Sequence, residues 1–107
     1  MYYILIYEWN NDGEYEDYRS ETNILGVFSS KEKALEIAKR RYDKTKKAYE
    51  KTVEEGFYMG VESDITDYRI KESGNKTCLS FSYGSTYEER YHDTYIIRPI
   101  EIDKMIE

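Results

Sequence analysis

Covalent chemistry in this chain would have to start from very few side chains. His92 is the single histidine and Cys78 the single cysteine among 107 residues. A histidine acting as a base needs a nucleophile within hydrogen-bond reach and an acid to orient it. Cys78, Ser80, Ser82, Ser85 and Asp93 are the residues that could fill those roles. Adjacency of His92 and Asp93 along the chain does not demonstrate such a group, and an exposed histidine in a tyrosine-rich loop is the commoner arrangement. We expect no catalytic residue, no cofactor and no enzymatic activity. A lone cysteine also excludes an internal disulfide framework and any multi-cysteine metal site.

Acidic side chains offer a second route. Asn10, Asp12, Gly13, Glu14 and Glu16 stand in places suggestive of a calcium loop. With Gly13 as the sixth position, however, Arg19 falls where the bidentate acid is required. Other carboxylates, such as Glu62, Asp64, Asp67, Glu88 and Glu89, are too common here to mark an acid–base pair. Gly84-Ser85-Thr86 lacks the glycine and lysine of a phosphate-binding loop. Only Lys39, Arg40, Lys44, Lys47 and Lys51 form a basic stripe, and an acidic remainder disfavours direct nucleic-acid binding.

The charge distribution points elsewhere. Formal net charge is −6, but residues 30–55 hold nine basic against six acidic groups, leaving seven against sixteen in the rest. The asymmetry fits either ion pairs between a basic helix and its neighbours or an acidic face offered to a basic partner. Thirteen tyrosines accompany it. Tyrosine suits contact surfaces, and it also suits half-buried strands. We expect Asp12, Glu14, Tyr15, Glu16, Asp17, Tyr18 and Glu21 to form part of a surface that binds a basic protein. The sharper version is a nucleic-acid mimic that blocks a nucleic-acid-handling enzyme, as small acidic phage inhibitors do. Anti-CRISPR proteins are similar in size and charge.

The positioning elements can be read from the periodicity. Residues 28–56 read as one helix of roughly 40 Å. Ser29 with Glu32 forms a capping-box pattern, and Gly56 suits a helix stop. Leu35, Ala38, Tyr42, Thr45, Tyr49 and Thr52 line one face, widened by Ala34, Ile37 and Val53. The Tyr and Thr half suits a half-wet contact, either on the chain's own sheet or in a homodimer through Tyr42 and Tyr49. That half also motivates the alternative function, an oligomeric protein that binds or sequesters a nucleotide, with tyrosine rings for the base and helix cations for phosphate.

Strand patterns occupy residues 2–9, 22–28, 57–62, 68–72, 76–83 and 95–102. The first is apolar on both faces and should be central. Asp12-Gly13 signals a hairpin, and Ser73-Gly74-Asn75 a second one. Cys78 is expected on the polar face of its strand. Pro99 lacks a ladder donor and argues for an edge or a bulge. Residues 85–93 fit either a helical turn or an extended ribbon. Together these elements predict one α+β domain, 1–107, with an antiparallel or mixed sheet of five or six strands and one long amphipathic helix on a face.

An apolar first strand, an acidic turn, a strand ending in Gly26-Val27-Phe28-Ser29-Ser30, a Lys/Glu helix containing Ala34 and then Gly56-Phe57-Tyr58 resemble small uncharacterised bacterial and phage domains. The resemblance spans residues 1–64 and implies a strand-strand-helix-strand order without chemistry. The first residues, Met1-Tyr2-Tyr3-Ile4-Leu5-Ile6-Tyr7-Glu8, show neither a basic region nor an apolar run long enough for a signal or a membrane span. A cytoplasmic protein with no membrane partner is expected.

Overall fold

The computed structural model describes residues 1–11, 19–54, 63–85 and 90–101. Its elements are β1 (Tyr2–Asn11), β2 (Ser20–Phe28), α1 (Lys31–Glu54), β3 (Ser63–Ile65), β4 (Arg69–Ser73), β5 (Lys76–Ser85) and β6 (Arg90–Ile100). The strands form an open sheet in the order β2-β1-β6-β5, and β3 and β4 both pair along the outer side of β5. Every pairing is antiparallel. With α1 packed on one face, the class is α+β.

Strand β1 is interior, flanked by β2 and β6, because both of its faces are apolar: Leu5 is 0% and Ile6 8% exposed. Pleating sends odd-numbered β1 residues toward the helix, so Leu5 joins Leu79, Phe81, Tyr95 and Ile97 in one core layer. Helix α1 meets that layer with Ala34, Ala38 and Tyr42. The two alanines let the helix backbone approach closely, and each fully buried Leu or Ile contributes about 1.5–3 kcal/mol. Tyr42 packs edge-on against Phe81 at 4.7 Å and Tyr68 at 5.1 Å. Its hydroxyl donates to the Thr66 carbonyl at 3.1 Å, which satisfies the one polar atom that the core position buries.

The helix cap lies one residue beyond the expected serine. Ser30 Oγ, rather than Ser29, accepts the Lys33 backbone N–H at 3.2 Å, so Glu32 is not the third residue after the cap and no capping box with Ser29 forms. Ser29 Oγ instead accepts Lys33 Nζ. Ser30→Ala is expected to cost about 1 kcal/mol in urea unfolding, with Ser29→Ala near neutral. Equal effects would remove this assignment. Gly56, the expected stop, lies outside the described residues, as does the anticipated strand 57–62.

The β4–β5 turn at Gly74-Asn75 is as anticipated. Gly74 has φ of 60° and no other residue type in the described chain has positive φ, which gives glycine the first position of a two-residue hairpin loop. The ambiguous stretch is ribbon at its described ends, because β5 runs to Ser85 and β6 already starts at Arg90. Strand β6 is thus longer than the expected 95–102 and interior rather than at an edge. Pro99 is nonetheless tolerated. The β5 register ends at Thr77↔Ile97, so at Pro99 only β1 flanks the strand among the described residues.

Candidate functional site

Three neighbouring strands each bring two aromatic residues to the helix side at odd-numbered positions. These are Tyr7 and Trp9 on β1, Tyr91 and Tyr95 on β6, and Phe81 and Tyr83 on β5. At their centre is Asp93, which pairs with Trp9 on one side and Phe81 on the other. The rings follow one another around it. Centroid separations are 6.2 Å for Trp9–Tyr91, 5.5 Å for Tyr91–Tyr83, 6.1 Å for Tyr83–Phe81, 6.5 Å for Phe81–Tyr95 and 4.9 Å for Tyr95–Tyr7. A carboxylate thus lies within a horseshoe of six aromatic side chains.

Asp93 is 2% exposed. Burial raises its carboxyl from 3.8 to about 6, opposed by a hydrogen bond from Tyr7 and by the charges of Arg41 and His92. Burial also lifts the Tyr7 phenol well above its ordinary range, and Asp93 adds to it, so Tyr7 donates to the carboxylate as a neutral phenol. Arg41 reaches down from α1. Its Nε donates to the Tyr95 hydroxyl at 3.2 Å, and its guanidinium lies 5.3 Å from the Tyr7 ring centroid and 5.8 Å from that of Tyr95.

Beside this cluster, between the sheet and the second half of α1, is a cleft of about 450 Å³. Tyr7, Tyr83 and Tyr95 form its sheet wall, and Arg41, Lys44 and Tyr49 lie on its helix side. The Tyr and Thr half of the helix was expected to be half-wet, and Thr45 and Thr52 do line this opening. Tyr42 and Tyr49, the rings suggested for a homodimer, are 4% and 7% exposed and pack on the chain's own Phe81 and Tyr83.

The sequence-predicted groups are dispersed. His92 and Asp93 are consecutive in β6, so their side chains project to opposite faces. His92 pairs with Ser82 and Ile96 with Cys78, which places Cys78 about 13 Å along the sheet from the imidazole. Ser82 Oγ accepts Arg90 Nε at 3.2 Å. A second depression of about 450 Å³ has His92, Ser80, Ser82 and Thr94 in its lining, together with the acids Asp67 and Asp93. Cys78 shares the His92 face with Lys71 and with the 8% exposed Ile96.

Of the seven residues expected to bind a basic partner, Asp12, Glu14, Tyr15, Glu16, Asp17 and Tyr18 lie outside the described residues. Glu21 is exposed on the edge strand β2 and accepts Trp9 Nε1 at 2.9 Å. Asp64 pairs with Arg90 at 2.7 Å, and Lys31 with Glu72, so part of the charge pattern is internal pairing.

The first two-thirds of the chain also carry a family signature, since a family profile matches residues 2–78. The chain belongs to DUF7336, a domain family of unknown function. No curated protein and no solved structure matches this DUF7336 chain. Among its described residues no helix is long and apolar enough to cross a membrane.

Sequence reasoning passed over Tyr7, Trp9, Arg41, Tyr83 and Tyr91 of this DUF7336 domain. A usable signal was present: aromatic pairs two residues apart, Tyr7/Trp9 and Phe81/Tyr83, and the Tyr91-x-Asp93-x-Tyr95 spacing. The last is legible only when residues 90–95 are taken as strand.

Proposed function

We propose that this DUF7336 protein is a non-catalytic binding protein that takes a small planar anionic ligand, of nucleotide class, in the cleft beneath the second half of α1. The observation that supports this reading is the lining of that cleft. Its volume of about 450 Å³ is within the range of small-molecule sites, its sheet wall is tyrosine, and Arg41 and Lys44 stand on one side. Aromatic walls stack on a base, and a guanidinium with an ammonium suits phosphate oxygens. A single chain supplies all of these groups, so the ligand does not need a second copy to complete its walls.

Isothermal calorimetry against a panel of nucleotides tests the proposal. A saturable heat is expected with at least one nucleotide. Lys44→Ala, at an exposed helix position where substitution costs little stability, should weaken binding about tenfold. The absence of heat with every nucleotide would dispose of this function.

The second reading is an acidic surface that docks on a basic protein, including a phage-type inhibitor of a nucleic-acid-handling enzyme. It is favoured by the charge partition and by exposed Glu21 beside Trp9 on the edge strand. Salt-dependent capture of a basic, nucleic-acid-binding partner, weakened by Glu21→Ala combined with changes at Asp12 and Glu14, is the expected behaviour. Capture indifferent to salt and to those substitutions would exclude it.

A further inference from the structure

Asp93 is a poor choice for filling a strand position. Burying a carboxylate among rings is costly unless the charge is paired and its oxygens are hydrogen-bonded. Tyr7 supplies one hydrogen bond, yet Asp93 Oδ1 accepts none among the described residues. Arg41 contributes charge at a distance, but its Nε is engaged by the Tyr95 hydroxyl. The six surrounding side chains would pack as well around a residue without charge, so the carboxylate is explained neither by packing nor by an internal ion pair.

The rings leave an opening on the side away from Arg41. Tyr7 and Trp9 from β1, Tyr83 from β5 and Tyr91 from β6 line a void of about 240 Å³. By register Trp9 lies directly across from Asp93, Tyr91 lies two residues before it on the same strand, and Tyr7 and Tyr83 are its diagonal neighbours. We propose that this void is a binding site for an organic cation bearing a methylated ammonium group, with the four rings as its walls and Asp93 as its counter-charge. It shares the Tyr7 and Tyr83 rings with the cleft assigned to an anionic ligand, whose Arg41 and Lys44 do not line it, and neither assignment depends on the other.

The chemistry selects this class of cation. Ring faces attract positive charge, most strongly when the cation is weakly hydrated, and tryptophan is the best of them. A primary ammonium brings three N–H donors that need acceptors, whereas the frame offers one unengaged carboxylate oxygen. A hard metal ion would require six or more oxygens. A quaternary ammonium needs none of these, only apolar walls and a nearby negative charge. The net charge of −6 adds long-range attraction for cations.

Trp9 is the only tryptophan and is itself a wall of the site, so its fluorescence reports occupancy. Titration of the full chain with tetramethylammonium chloride, at ionic strength held constant with sodium chloride, should give a saturable change that ammonium chloride does not produce. Asp93→Asn keeps the shape and removes the charge, and should weaken the response at least tenfold. Tyr91→Leu, which removes one wall, should weaken it as well. Choline and a trimethyllysine peptide then distinguish a free small molecule from a modified side chain, and saturation by either supports the site. A change that never saturates, or one of equal affinity in Asp93→Asn, overturns the proposal. Calorimetry on the same variant guards against a change confined to the indole signal.

Discussion

Replacement of Tyr95 by alanine is expected to lower the unfolding free energy by about 3–5 kcal/mol, the range for removing a buried aromatic side chain. Tyr95 is 1% exposed and belongs to the core cluster. Its ring stacks on Tyr7 at 4.9 Å and on Phe81 at 6.5 Å, and its hydroxyl accepts Arg41 Nε from the helix. A domain of this size has about 5–15 kcal/mol in total, so the variant should be marginal at room temperature. Tyr95→Phe keeps the ring and removes only the tie to α1, which predicts a loss of about 1 kcal/mol. Urea midpoints of the two variants separate packing from hydrogen bonding. Similar losses would mean that Tyr95 is not the centre of the layer.

Stability should also depend on pH through Asp93, in the direction opposite to that of a carboxylate held in an ion pair. Between 3.8 and about 6 the folded protein holds a proton on Asp93 that the unfolded chain has already released. The unfolded state therefore binds fewer protons in that window, and stability falls as pH rises through it, reaching a lower plateau above about 6. A shift of that size corresponds to about 3 kcal/mol at full effect, which solvent response reduces to about 1–2 kcal/mol. The groups that face Asp93 are Tyr7 on β1, Tyr95 on β6 and Arg41 on α1, with His92 next to it in the chain. Asp93→Asn should be more stable than the parent at pH 7, and the advantage should disappear near pH 4. Unfolding both proteins at a series of pH values isolates this one group, because all other carboxylates cancel in the difference. A difference that is flat with pH would show that Asp93 is ionised without penalty.

The pH dependence of stability bears on the proposed cation site. If Asp93→Asn stabilises the protein, the carboxylate is retained against folding stability, as is common for residues that serve binding. The same substitution is expected to abolish most of the response to tetramethylammonium. One variant thus measures both what the charge costs the fold and what it does for a ligand.

Much of the scaffold was legible because it rests on local periodicity. The helix face from Ala34 through Tyr49, the β1 pattern that is apolar on both faces, and the Gly74 turn each follow from residues close together in sequence. Errors arose where two local readings had nearly equal merit. Ser29 and Ser30 can both cap, and the choice depends on where the β2 ladder releases the chain at Phe28. Pro99 speaks for an edge, and the interior strand β6 tolerates it because the β5 register ends at Ile97.

Charge partition, the long amphipathic helix and the α+β class were determined by the sequence itself, since composition and spacing of three to four or two residues act within single elements. The cluster around Asp93 was decided by tertiary structure. Its members come from β1, β5 and β6, and strand order and register alone place Trp9 and Phe81 on either side of the carboxylate. Pleating by one residue also sends His92 and Asp93 to opposite faces, so adjacency in the chain does not place their side chains on one face.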